Sequence, residues 1–245
     1  MERYLVPRGY SFISRTAKVY AENGAPARAA VLRGIGLSRD DVNVWGLCFD
    51  LSKYFDEIVW PDALRKTVFM NLLDGLVGGG NVQMADKVHT EATEWAQETQ
   101  DREFTAWLLF NGSRLDFRRQ DLYRARDRAT DALKLYTALE SKQRVAELYN
   151  HLAMVELQDG NTEAALEEVE KALEAGKVST EDGKEAHIPA IIATAEQVRG
   201  LVARRTGQLE QAAQHFQRAN DIAGQAGLGA LALNSGLSFG EALLA

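Results

Sequence analysis

Residues 142–175 read KQRVAELYNHLAMVELQDGNTEAALEEVEKALEA, and this stretch decides the fold. Val145, Leu148, Leu152 and Val155 recur at three-four spacing, with Ala146, Ala153 and Met154 between them, which predicts an amphipathic helix. Asp159-Gly160-Asn161 breaks the pattern. Gly160 is suited to a left-handed helix end, and Asn161-Thr162 to capping a second helix. The stripe of that helix runs through Ala164, Ala165, Leu166, Val169, Ala172 and Leu173, with Glu163, Glu167, Glu170 and Glu174 facing away. Small residues at Ala153, Ala165 and Ala172 let the two helices approach closely. One such hairpin cannot bury its own apolar face, so it predicts neighbours of the same kind.

The neighbours are legible. On the N-terminal side, Trp60-Pro61-Asp62 starts a helix through Leu76, stopped at Gly78-Gly79-Gly80, and Val82–Glu98 comes after it. Next come 104–117 and 121–139. On the C-terminal side, Gly176–Glu185 is polar and glycine-containing and reads as a longer loop. Helices at 188–205 and 209–226 turn at Thr206-Gly207-Gln208, and the apolar tail 228–245 makes one final helix. Residues 1–58 differ, with short helical segments dense in aromatics (Phe12, Tyr20, Trp45, Tyr54, Phe55). The expected architecture is all-α: an N-terminal bundle over 1–58, a solenoid of about four helix pairs over 61–226, and a capping helix over 227–245.

Composition agrees with that class. Among 245 residues there are only 4 prolines, and β-branched runs are scarce. A net charge of -7 argues against a general nucleic-acid binder, since phosphate contacts need concentrated lysine and arginine. The single cysteine, Cys48, allows no internal disulfide and reads as a core thiol. No apolar run reaches the roughly 20 residues of a transmembrane helix. The expected setting is therefore the cytoplasm.

The hairpins resemble tetratricopeptide repeats (TPR). That family sets a glycine at the turn, an alanine five residues on, a bulky residue four further and an alanine after three more. Gly207, Ala212, Phe216 and Ala219 match it, with Gly200 at the small position of the preceding helix. Gly160, Ala165, Val169 and Ala172 also match; Gly80, Ala85, His89 and Ala92 match in part. The 104–139 pair departs, because Arg119 stands at the turn and Ala125, Ala129 and Ala132 fit only after a one-residue shift. Turns recur about every 40 residues, against roughly 34 in the family. The resemblance implies a right-handed α-solenoid whose concave face holds a peptide or helix of a partner. The family's dicarboxylate clamp is not reproduced: its points carry Glu147, Asn150, His151 and Met154 in the central repeat, and Thr194 and Val198 in the last. Residues 27–37 with the 49–58 and 64–76 segments are similar in outline to small helical effector-associated adaptor modules of bacterial conflict systems.

No chemistry-bearing constellation stands out. His89, His151, His187 and His215 lie on different helices without a second ligand at metal spacing. Gly34-Ile35-Gly36 and Gly78-Gly79-Gly80 lack the lysine of a phosphate loop, and no nucleophile sits in an elbow. Neither catalysis, nor a cofactor, nor a metal is expected.

The distinctive charge feature is Arg114, Arg118, Arg119, Arg124, Arg126 and Arg128 on one hairpin, interleaved with Asp116, Asp121 and Asp127. A salt-bridged face is one reading. The other is that Arg114, Arg118 and Arg119 are unpaired and receive acidic side chains of a partner. The acidic pole at Glu163–Glu174 adds self-association between two copies. Candidate partner-binding residues are thus Arg114, Arg118, Arg119, Glu147, Asn150, His151 and Met154. The expected function is a non-catalytic adaptor or scaffold that binds a protein segment, with no membrane role. The alternative is a peptide-sensing regulator with a DNA-binding or effector-adaptor N-terminal region.

Overall fold

The structure, a computed structural model, describes residues 62–78, 80–179 and 185–244. The expected N-terminal bundle, with Cys48, Trp45 and Trp60, lies outside them. The chain divides into two compact units, Met1–Trp95 and Ala96–Ala245.

In the first unit, helix α1 (Asp62–Gly78) is succeeded by α2 (Val82–Thr99), which begins in this unit and ends in the next. Its core contains Phe69, Leu72, Leu73, Ala85, Val88 and Ala92, and the Phe69 and Trp95 rings meet at 5.9 Å between centroids. Gly80, at φ 76°, makes the turn between the helices.

The second unit continues with α3 (Arg102–Arg118), α4 (Leu122–Ala138), α5 (Lys142–Asp159) and α6 (Thr162–Ala175). After a short strand pair come α7 (Pro189–Arg205), α8 (Leu209–Gln225) and α9 (Gly229–Leu244). Consecutive helices pack as hairpins, α3 with α4, α5 with α6 and α7 with α8. Each first helix also touches the next first helix, α3 to α5, α5 to α7 and α7 to α9. This is the contact pattern of stacked repeats, in which each hairpin buries its stripe against the following one. The core interleaves alanines with larger side chains, among them Phe104, Leu115, Leu148, Ile191 and Phe216.

Left-handed residues punctuate the array at a fixed interval. Gly80, Gln100, Gln120, Glu140 and Gly160 all have positive φ, one every 20 residues, and Gly207 and Gly227 resume the same spacing. This removes an irregularity read from the sequence. The turn residue of the α3–α4 hairpin is Gln120, at φ 62°, not Arg119. Counted from Gln120, Ala125, Ala129 and Ala132 fall at the family's offsets with no shift. All three are fully buried.

Two local expectations are corrected. Residues 176–185 are not simply a loop, because β1 (Lys177–Ser179) pairs antiparallel with β2 (Glu185–His187), Val178 opposite Ala186. Asn161 stands at the N-cap of α6 without a capping hydrogen bond; its amide donates to Glu156 Oε2 at 2.9 Å instead.

A candidate partner-binding surface

The first helices α3 and α5 bring together residues that lie in separate hairpins of the sequence. Ser113 occupies the small position of α3, and its hydroxyl donates to the Ala125 carbonyl of α4 at 2.6 Å. A serine has one hydroxyl proton, so the 2.8 Å contact between Ser113 Oγ and His151 Nε2 on α5 must use the imidazole N–H as donor. The tautomer of His151 is thereby fixed. Phe110 and Phe117 contact the ring edge-on, at centroid distances of 5.5 and 5.8 Å. Burial, and secondarily the charge of Arg114, hold the His151 pKa down to about 3, so it is neutral at ordinary pH. Arg114 in turn donates to Asn111 Oδ1 at 2.9 Å, and the Asn111 amide donates to the Trp107 carbonyl.

The arginine cluster is largely used inside the fold. Arg126 reaches from α4 to α5, with Nε 2.6 Å from Glu156 Oε1 and Nη2 2.7 Å from Asp159 Oδ2. Its hydrogen bond holds the Glu156 carboxyl below the usual range. Arg128 Nη1 lies 3.0 Å from Asp116 Oδ2, an ion contact without hydrogen-bond alignment. The Asp116 side chain is only 2% exposed, and that burial raises its pKa against the pull of Arg128. Arg119 is 3.9 Å from the other oxygen of Asp116, and Arg124 is 3.6 Å from Asp121. The expectation of unpaired arginines does not hold: Arg114, Arg118 and Arg119 all have interaction partners within the protein. Arg118 and Arg119 are nevertheless exposed at the end of α3.

Along α5, Glu147 is half-buried and accepts from Arg144 at 2.7 Å and Gln143 at 2.9 Å. Met154 is half-buried against Ala153, Val169, Val198 and Val202. Asn150 departs from its expected surface position. It is buried, its amide donates to the Ile191 carbonyl of α7 at 3.1 Å, and its Oδ1 is buried without a hydrogen-bond partner. It joins two first helices.

A network across α6, α7 and α8 had no signal in the sequence. Buried Glu196 accepts from Arg199 and meets His215 Nδ1, each at 2.8 Å, and Arg199 also bonds Glu170. Apart from Glu196 and Arg199, three residues apart on α7, its links span 19 and 29 residues, beyond any periodicity within one helix. Among the described residues, no group of three or more histidine, cysteine or acidic side chains could hold a metal ion, and no helix is long and apolar enough to cross a membrane.

Comparison with solved structures gives the fold. The crystal structure of BtubC (BKLC) from P. vanneervenii superposes with a TM-score of 0.52 at 20% identity, covering 88% of this chain and 87% of that one. The apo form of RapI superposes with a TM-score of 0.53 at 17% identity, covering 82% of this chain. The fold is a tetratricopeptide-type helical repeat. The chain spans about half of RapI, 53% of its length. No protein-family model and no curated protein matches the sequence.

Proposed function

We propose that this chain is a non-catalytic scaffold that binds a segment of another protein along α3 and α5, near Arg114, Arg118, Arg119, Glu147, His151 and Met154. The observation that supports this most is the meeting of Arg114 and the neutral His151 beside Phe110 and Phe117, which sets one cation and an imidazole against aromatic rings on neighbouring first helices. Such a surface suits an extended or helical segment with acidic and apolar side chains. Arg118 and Arg119 are exposed at the end of α3 and can reach an incoming carboxylate, Arg119 from a contact of 3.9 Å with the buried Asp116. The repeat array over 61–226, with the capping helix over 227–245, serves in this reading as the scaffold. The cytoplasm is the proposed setting, since the lone Cys48 leaves no internal disulfide to protect.

Photo-crosslinking in cells tests the reading, with a crosslinkable residue at 147 or 154 and controls at 123 and 134 on α4. The expected result is one discrete adduct from 147 and 154 that disappears in Arg118→Glu/Arg119→Glu. Equal labelling from both helices, or an adduct indifferent to the charge reversal at low salt, overturns it.

A further inference from the structure

Equivalent positions on neighbouring first helices are filled with different chemistry. Counted back from the left-handed residues Gln120, Gly160 and Gly207, Ser113 and Ala153 stand seven residues before the turn, His151 and Val198 nine before it. Between α5 and α7 these positions carry Ala153 and Val198, fully buried in one apolar cluster. Between α3 and α5 they carry Ser113 and His151, in contact at 2.8 Å. The repeat closes the first of these joints with apolar side chains alone, so it has no need of an imidazole at the second. Ser113 does not need one either, since its own proton goes to the Ala125 carbonyl.

What the imidazole adds is an acceptor. With the N–H on Nε2 directed at Ser113 and the ring neutral, Nδ1 keeps its lone pair. Ser113 and the two phenylalanines, Phe110 and Phe117, hold the ring, which gives that lone pair a fixed direction. Among the described residues, Asp116 Oδ2, Asn150 Oδ1, Glu168 Oε2 and Ser235 Oγ are sealed in the fold without a hydrogen bond. His151 Nδ1 is different: no donor among the described residues reaches it, yet it is not sealed, and its residue is half-buried on α5.

We infer that His151 Nδ1 reads a neutral hydrogen-bond donor of the bound segment, the hydroxyl of a serine or threonine or the amide of an asparagine or glutamine. This role rests on α3 and α5 being the binding surface proposed above. A carboxylate does not fit at this point, because its oxygens and Nδ1 are all acceptors. A lysine is opposed by the nearby charge of Arg114. Acidic side chains belong instead at Arg118, one helical turn beyond Arg114 and about 6 Å along α3. Donor and acid then stand about two residues apart on an extended segment. The ring is held before anything binds, so little freedom is lost when the bond forms.

Random linear peptides displayed on phage and selected on the full chain supply the probes. The selected peptides are expected to share a serine, threonine, asparagine or glutamine close to an acidic residue. One such peptide and its donor-free version (threonine replaced by valine, or asparagine by leucine) are then titrated against wild type, His151→Gln and His151→Phe. Circular dichroism melts serve as the folding control. Removing the donor should weaken binding to wild type about five- to tenfold, the worth of one hydrogen bond. His151→Gln keeps an amide N–H for Ser113 and sets a carbonyl oxygen in place of Nδ1, so it should behave as wild type. His151→Phe fills the space without an acceptor and should bind both peptides equally. A donor whose removal costs the same in wild type and His151→Phe overturns the inference, as does a set of peptides sharing no donor. If those peptides are still lost in Arg118→Glu/Arg119→Glu, the surface stands and only the role of His151 fails. Peptides indifferent to that charge reversal at low salt, or a selection that yields none, remove the surface and the donor together.

Discussion

Phe216 of α8 lies against Gly200 of α7 so closely that a Cβ at position 200 would stand 2.6 Å from its Cε1 and 2.7 Å from its Cδ1. Both residues are buried, Phe216 completely, so the ring has nowhere to retreat. Gly200 is thus fixed by packing even though glycine weakens a helix interior. Gly200→Ala gains up to about 1 kcal/mol of helix propensity and loses about 1–3 kcal/mol to overpacking, a net cost near 1 kcal/mol. Urea denaturation should show the loss, and combining it with Phe216→Leu should cost less than the sum of the two changes.

Gln120 holds a left-handed conformation at φ 62° that a side chain disfavours by about 1–2 kcal/mol, while glycine there costs about 0.5–1 kcal/mol in chain entropy. Gln120→Gly should therefore stabilise by about 0.5 kcal/mol, less the exposed bond that Gln120 accepts from Gln158. Gln100 and Glu140 are in the same position, at φ 53° and 55°. The three changes fall in three separate turns and should add, raising the urea midpoint with an unchanged slope.

The fold was readable because stripe spacing and glycine turns survive in the sequence. Gly160 and Gly207 announce their turns; Gln100, Gln120 and Glu140 perform the same turn with residues that carry no such signal. That is why the α3–α4 hairpin looked one residue out of step. Helix existence was recovered throughout 62–244, since a stripe of alanines with larger plugs has only one period. The strand pair at 177–179 and 185–187 was missed because three-residue strands leave too few positions for alternation to register. The candidate surface was legible only as a set of residue types. Whether Asn150 faces a groove or spans α5 to α7 depends on the angle between helices, which spacing along one helix does not encode. Arg114 looked available because its partner Asn111, three residues away, carries no charge, and Arg119 because its contact with Asp116 depends on how that buried carboxylate turns.

Arg126 holds the end of α5 through a two-pronged bond to Glu156 and a third to Asp159. Its side chain is a third exposed, so solvent screens the charges, and about 1 kcal/mol is the expected contribution. Arg126→Lys has one ammonium point and no planar fork, and should lose most of it. Thermal melts of Arg126→Lys and Arg126→Ala, repeated in Glu156→Gln, should give a coupling energy that shrinks only partly in high salt. Full loss of coupling at high salt would show the pair to be a surface contact of no structural weight.

His151 gives stability a pH dependence of definite sign. Its pKa is about 6.5 when unfolded and about 3 in the fold, so the folded state favours the neutral ring. The stabilisation is complete above pH 6.5 and is lost as pH falls towards 3, because the unfolded chain takes up the proton first. The limiting slope is about 1.4 kcal/mol per pH unit, an upper bound for a side chain that keeps some exposure. Glu156, with its lowered pKa, adds a loss in the same direction in the carboxylate range, while Asp116, with its raised one, opposes it. Both are common to wild type and variant, so the difference isolates the histidine. Urea unfolding of wild type and His151→Gln should diverge between pH 7 and 5, wild type falling more steeply. Parallel curves would show that His151 is solvated in the folded protein and that Phe110, Phe117 and Ser113 do not enclose it.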